Sequence, residues 1–170
     1  MRNRFFDIVV AASKSSRYGI GLNNTLPWNS KKEMNLFKEI TVNGFNKKNS
    51  TNVNTSNIVI MGRKTFESIP QKFRPLKNRV NMVISKSHFD NKTHNFEWTN
   101  RNCAYFRNVN YCLDYINEFS EEEDLSGNIY VIGGSNIYNQ VLNHDNLRYV
   151  FMSDLQNNLS EDKSFNVDSY

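Results

Sequence analysis

The sequence predicts an α/β domain: a central, mostly parallel twisted sheet flanked by helices on both faces. Three observations carry that reading. Apolar runs of strand length recur along the 170 residues, several of them are nearly continuous rather than alternating, and helical patterns lie between them. A strand covered on both faces has no solvent side, so it reads as an unbroken apolar run. Strand and helix in alternation then give a parallel sheet.

The strand candidates are "FFDIVVAA" (5–12), "NIVIMG" (57–62), "RVNMVIS" (79–85), "CAYF" (103–106), "NIYVIGG" (128–134) and "LRYVFMSDL" (147–155). Helices are predicted over 31–41, 64–68, 109–119 and 136–142. The first carries Met34, Leu36, Phe37 and Ile40 on or near one face, and the third gathers Val109, Cys112, Leu113, Ile116 and Phe119 on one side. Residues 43–57 hold six asparagines in fifteen positions and little to bury, which reads as an Asn-rich surface loop. "SEEEDL" (120–125) reads as a solvated turn. Neither stretch marks a boundary and no internal repeat occurs, so residues 1–170 are expected to form a single domain.

The formal net charge is +4, but the lysines and arginines are scattered and no basic stripe is interleaved with aromatics. That pattern argues against nucleic acid as a partner and suits an anionic small molecule. Cys103 and Cys112 read as buried free thiols, and no histidine stands at metal-ligand spacing, so no metal is expected. No apolar run approaches the roughly 20 residues of a membrane helix, and "MRNRFFDIVVAAS" turns polar too soon for a signal peptide. The expectation is a soluble, cytoplasmic protein with no membrane partner.

Two strands end in glycine and run into helices. After Gly62 come Arg63, Lys64 and Thr65; after Gly133 and Gly134 comes Ser135. Free backbone N–H groups at a helix start favour an anion, although either turn alone is also an ordinary strand-to-helix connection. Two such turns at the carboxyl edge of one sheet suit a ligand with more than one phosphate. "GIGLNN" (19–24) imitates a dinucleotide fingerprint and is set aside, because Asn24 replaces the third glycine and "LPW" follows instead of a helix. His88, His94 and His144 pair with no nucleophile motif. Glu33 stands on the apolar stripe of the first helix, one turn before Phe37 and two before Ile40. Either it reaches water or Lys32, or it meets a ligand that presents two adjacent N–H donors, since a carboxylate held against apolar neighbours is costly without a partner.

Together these stretches resemble the dihydrofolate reductase family. "IVVAAS", "GIGLNNTLPW", the acid five residues after Trp28, "IVIMGRKTFESIP", "KFRPLKNRVNMVISKS" and "IYVIGGSNIY" occur in the family's order, over residues 5 to about 155, and are most similar to fungal and protozoan members. The resemblance implies the family's fold and the reduction of 7,8-dihydrofolate to tetrahydrofolate by NADPH, with hydride passing to pterin C6 and a proton to N5. It implies that Glu33 holds the pterin ring through N3 and the 2-amino group, and that Ser153 supports this carboxylate by a hydrogen bond. Ala11, Phe37, Phe66, Ile69, Phe73 and Leu76 match the substrate groove, with Val9, Val10 and Met34 beside them. Arg79 matches the arginine that grips the glutamate α-carboxylate. Ile132 and Tyr138 match positions near the nicotinamide.

For the cofactor, Arg63, Lys64, Thr65, Ser85 and Lys86 match the phosphate seats, the last two taking the 2′-phosphate. Ala11, Ile20, Gly21, Gly62, Ile84, Ser135, Asn136 and Ile137 fall in the same cofactor motifs, and Gly133–Gly134 resembles the family's cis Gly-Gly bond. Residues 13–28 match a loop that closes over the nicotinamide and brings Leu26 and Trp28 to the catalytic centre. The family continues into a final antiparallel pair of strands, whereas this sequence stops at Tyr170, with Asn166 where a proline usually follows the phenylalanine. The expectation is a domain shortened at its C-terminal end with one sheet edge open, and thymidylate synthase is the implied fused or associated partner. Two other readings stand beside this one: a relative that binds nucleotide or folate without turning it over, and a pyrimidine reductase of riboflavin synthesis. Glu33 with Arg79 speaks against the latter, whose substrate has no glutamate tail.

Overall fold

The computed structural model describes residues 3–13, 19–20, 31–44, 56–154 and 166–167. Within these, the side chains of residues 11–13, 19–20, 32–33, 153–154 and 166–167 lie outside the description. Among the described residues, nine strands and four α-helices follow in the order β1 (Phe6–Ser13), β2 (Gly19–Ile20), α1 (Lys31–Asn43), β3 (Asn57–Gly62), α2 (Arg63–Ser68), β4 (Arg79–Ile84), β5 (Phe96–Asn100), β6 (Cys103–Phe106), α3 (Val109–Phe119), β7 (Ile129–Gly133), α4 (Ser135–Val141), β8 (Leu147–Asp154) and β9 (Asn166–Val167). All strands join one sheet in the order β5-β6-β4-β3-β7-β1-β8-β9, with β2 paired to β1 off that path. The five pairings among β1, β3, β4, β6, β7 and β8 are parallel; β2, β5 and β9 pair antiparallel.

The continuous apolar runs are explained by two cores, one on each face. Along β3, Ile58 and Ile60 enter one core while Val59 and Met61 enter the other; along β7, Ile129 and Val131 separate from Tyr130 and Ile132 in the same way. The first core takes Val109, Cys112 and Ile116 of α3 with Ile137, Tyr138 and Val141 of α4. The second takes Phe37 and Ile40 of α1 with Phe66 and Ile69 at α2. Successive strand side chains point to opposite faces, so a strand with helices on both sides needs apolar residues at every position.

Helix ends are satisfied by specific residues. Gly44, at φ 79, donates its N–H to the Ile40 carbonyl at 2.8 Å and closes α1. Asn57 Nδ2 donates to the carbonyls of Thr41 and Val42 at 3.0 and 3.1 Å, and its Oδ1 accepts from the Asn128 N–H at 3.0 Å. One buried amide thereby ties the end of α1 to β3 and to the start of β7. Asn108 caps α3 by accepting from the Tyr111 N–H at 2.8 Å. Asp7 is 2% exposed, and its carboxylate accepts from Arg148 Nη2 at 2.8 Å, Arg148 Nε at 3.1 Å and the Tyr149 N–H at 3.2 Å, joining β1 to β8. Arg4 donates to the carbonyls of Leu125 and Gly127, which holds the chain entering β1 to the segment before β7.

Most predicted elements stand within two residues of their expected ends. The short strands β2, β5 and β9 are the additions. β5 has only half-buried or exposed residues, so no apolar run announces it. β9 pairs with the outer edge of β8 at Phe151↔Val167 and Met152↔Asn166, so that edge, expected to be open, is met at these two positions. Cys103 and Cys112 are buried free thiols, each with its pKa pushed up by burial. Residues 121–124 form an exposed turn and Leu125 behind them is buried. The Asn-rich loop lies outside the described residues from 45 to 55. No helix among the described residues is long and apolar enough to cross a membrane.

Gly127 is where two chain segments meet most closely: a Cβ there would collide with the Ser56 carbonyl oxygen, which is backbone and cannot swing aside. Gly127→Ala is expected to lower stability by about 1–3 kcal/mol through overpacking, read as a shifted urea midpoint at unchanged slope.

Candidate active site

Parallel pairing aligns the carboxyl ends of β4, β3 and β7. Gly62 stands opposite Ile84, and Met61 opposite Gly133. The chain leaves these three ends into α2, a 3-10 turn at Ser87–Phe89, and α4. Between them lies a cavity of about 510 Å³. The two glycine strand ends that the sequence singled out separately are therefore neighbours on one site. Both N-caps, Gly62 and Gly134, lack a side-chain cap.

The cavity wall is basic. Arg63, Lys64, Lys86 and Arg107 line it together with Thr65, Ser85 and Asn136, and no acidic residue lies among the described lining. Ser85 is 4% exposed and its Oγ accepts from the His88 N–H at 3.3 Å, which fixes the turn carrying Lys86. Arg107, Asn108, Ser87 and Gln140 are lining residues the sequence reading passed over. A signal for Arg107 was present: a cation follows the end of β3 (Arg63), of β4 (Lys86) and of β6 (Arg107) within two residues. Arg107 also holds the segment after Ser87, donating Nη2 to the Phe89 and Lys92 carbonyls at 3.0 and 2.8 Å and Nε to Asn95 Oδ1 at 2.8 Å.

Gly133 adopts φ 132, and the Gly133–Gly134 peptide is cis. A Cβ at Gly133 would stand 3.4 Å from the Tyr138 hydroxyl and 3.5 Å from Thr65 Oγ1, so the backbone and these two hydroxyls meet closely, next to Gly134 and Thr65 of the cavity lining. Tyr138 is buried and donates its hydroxyl to the Val9 carbonyl at 2.8 Å, linking α4 to β1; burial raises its pKa.

On the opposite face, Val9, Phe37, Phe66, Ile69, Leu76 and Ile132 pack in one apolar cluster. Met34 and Phe73 are exposed large apolar residues on α1 and on the 3-10 turn at Gln71–Phe73. Val10 belongs to the other core, as do Ile84, Ile137 and Tyr138 on the cavity side. Arg79 is 4% exposed; its Nε donates to the Lys77 carbonyl at 2.9 Å and its Nη1 to Thr41 Oγ1 at 3.0 Å. Burial lowers its pKa to about 10, so it remains a cation at neutral pH. Thr41, missed in the sequence, donates its own hydroxyl to the Phe37 carbonyl at 2.9 Å.

Glu33 lies in the first turns of α1, and Ser153 pairs in register with Ala11 at the carboxyl ends of β8 and β1, while their side chains, with those of Ala11 and Ile20, are outside the description. Gly21, Leu26 and Trp28 lie outside the described residues altogether.

The family described as Dihydrofolate reductase matches residues 6–169. The chain belongs to the dihydrofolate reductase family. It is similar to the dihydrofolate reductase of Candida albicans, 34% identical over 149 residues, which are 88% of this chain and 67% of that one. It is 32% identical to a bifunctional dihydrofolate reductase-thymidylate synthase of Arabidopsis thaliana over 94% of this chain and 28% of that protein. Among solved structures it resembles the Schistosoma mansoni dihydrofolate reductase, with a TM-score of 0.65 and 30% identity, covering 89% of this chain and 72% of that one. As a dihydrofolate reductase the chain is an oxidoreductase, reducing dihydrofolate to tetrahydrofolate with a nicotinamide cofactor.

Because φ near +132 is open to glycine and strained for other residues, Gly133→Ala is expected to cost about 1–3 kcal/mol of stability. Urea denaturation of the variant beside the parent reads it directly.

Proposed function

We propose that the chain reduces 7,8-dihydrofolate with NADPH, the cofactor's phosphates lying in the basic cavity and the pterin and its aminobenzoyl-glutamate tail on the face of α1. The observation that carries this reading is the cavity itself: its described lining sets four cations and no acid at the joined ends of three parallel strands. Its volume of about 510 Å³ falls in the range of small-molecule sites, and its lining includes Gly62 and Gly134, which carry no side chain. These features fit a polyanionic dinucleotide. Bound there, NADPH supplies the hydride that reaches pterin C6.

The residues of the chain do the remaining work. Arg63, Lys64 and Thr65 neutralise and orient phosphate groups, while Ser85 and Lys86 meet the 2′-phosphate that separates NADPH from NADH. Arg79, a buried cation with its Nε and Nη1 already held, presents its remaining N–H groups to the tail carboxylate. Phe37, Phe66, Ile69 and Leu76 line the apolar part of the groove. The family pattern assigns Glu33 to the pterin: it holds the ring through two N–H donors, with Ser153 supporting the carboxylate, and polarises it while water delivers a proton to N5. Leu26 and Trp28 belong to the loop that excludes bulk water. The cytoplasm is the proposed location. Thymidylate synthase, whose product is dihydrofolate, is the proposed partner, in line with the bifunctional relative.

An absorbance assay of the 170-residue chain with NADPH and dihydrofolate tests the reading. Loss of NADPH absorbance only when dihydrofolate is present is the expected result, and cofactor binding without turnover would overturn it. Glu33→Gln keeps the shape of the acid but not its charge, so turnover is expected to fall by about a hundredfold or more while NADPH affinity, followed by fluorescence, hardly moves. Lys86 is exposed, so its contact with the 2′-phosphate is discounted for solvent. Lys86→Ala is expected to narrow the kcat/KM preference for NADPH over NADH by roughly fivefold, about 1 kcal/mol. Equal losses with both cofactors would make Lys86 a structural residue.

A further inference from the structure

Asn81 stands in the middle of β4 with 0% exposure, and none of the roles above uses it. A buried amide is costly unless its polar atoms are paired. Here they are. Its Oδ1 accepts from the Leu76 N–H at 2.8 Å; its Nδ2 donates to the Leu76 carbonyl at 3.0 Å and the Arg79 carbonyl at 3.1 Å, with the Asn102 carbonyl at 3.4 Å. The side chain thus meets both backbone groups of Leu76, as a neighbouring strand would, and closes from within the turn that leads to Arg79. That turn includes Asn78 at φ 61.

Two ligand-facing groups depend on the turn. Leu76 enters the apolar cluster beside Phe37 and Phe66. The Lys77 carbonyl, within the turn, accepts from Arg79 Nε at 2.9 Å, while Thr41 on α1 holds Nη1 at 3.0 Å. A guanidinium is a planar fork, so fixing two of its nitrogens fixes the direction of the third. Thr41 supplies one fixed point from the helix, and the turn shaped by Asn81 supplies the other.

We propose that Asn81 is a positioning residue for the substrate's tail: by holding the turn from Leu76 to Arg79 against β4, it aims the Arg79 guanidinium at the tail carboxylate without itself touching the substrate. The proposal rests on the reading of Arg79 as the tail anchor. It differs from a general structural role in one respect. Losing a merely structural asparagine weakens every ligand or none, whereas losing this one weakens only ligands that carry the carboxylate.

The test uses the full 170-residue chain with NADPH and two substrates, 7,8-dihydrofolate and a 7,8-dihydropterin bearing only a methyl group at C6. Dissociation constants come from fluorescence quenching and kcat from absorbance, for the parent, Asn81→Asp, Asn81→Leu and Arg79→Leu. Asn81→Asp keeps the acceptor for the Leu76 N–H and loses the donated bonds, so it carries the comparison if Asn81→Leu does not fold. The expected result is about a tenfold weaker hold on dihydrofolate in the Asn81 variants, with kcat, NADPH affinity and methyl-dihydropterin affinity within about twofold of the parent. Equal weakening of both substrates, or a lowered melting temperature with unchanged affinities, overturns the role given to Asn81. Arg79→Leu separates the two readings: a tail-selective loss there without one in the Asn81 variants overturns this inference alone, and no tail-selective loss there overturns the assignment of Arg79 and this inference with it.

Discussion

Coverage of the parallel sheet on both faces is the constraint from which the site follows. β3, β4 and β7 have almost no solvent side: Ile58, Ile60, Met82 and Val131 pack beneath α3 and α4, while Val59, Met61, Val83 and Ile132 pack beneath α1 and α2. Polar backbone and ligand-binding groups can leave such a layer only at its ends. Parallel pairing then brings several carboxyl ends together, and each strand must turn into a helix or tight loop there. The basic residues at those turns become one wall. A cavity lined by Arg63, Lys64, Lys86 and Arg107 is thus a consequence of strand direction as much as of residue choice.

The two faces carry different physics. On the cavity side Arg63, Lys64 and Lys86 are exposed and Arg107 is half-buried, so any single contact these cations make is screened by solvent. On the α1 side Arg79 is nearly buried, where the desolvation that lowers its pKa also strengthens any pairing with a carboxylate. Holding that cation requires acceptors on two elements, the Lys77 carbonyl and Thr41 Oγ1. Buried amides stand behind both: Asn81 behind the turn, and Asn57 behind the end of α1 through the Thr41 carbonyl. The placement of the Arg79 guanidinium is therefore a property of the joined α1, β3 and β4, not of one side chain.

Legibility in the sequence varied with the kind of signal. β3 and α3 were readable to the residue, because an apolar run bounded by polar residues and an apolar stripe at helical spacing are local patterns. β5 was not, because Phe96–Asn100 is an edge strand with no face fully buried. The family motifs named Arg63, Lys86 and Arg79, whose cationic character is visible in the letters. They did not name Thr41, Asn57 or Asn81: a threonine in a helix and an asparagine in a strand are unremarkable until their hydrogen-bond partners, up to 71 residues away for Asn57, are in place.

What the sequence determined by itself was the class of the sheet, the order of its longer strands and helices and the chemical types present at the strand ends, which depend on composition and spacing along the chain, while the resemblance of its motifs pointed to the family. Only the tertiary structure decided which of those groups share a wall. It placed Gly62 opposite Ile84 and Met61 opposite Gly133 through parallel register, assigned Val9 and Val10 to opposite cores, and gave Arg79 its two acceptors. The reason is physical: burial and hydrogen bonding between distant segments are set by the register and packing of the whole sheet, and a shift of one residue would exchange the faces of every side chain on a strand.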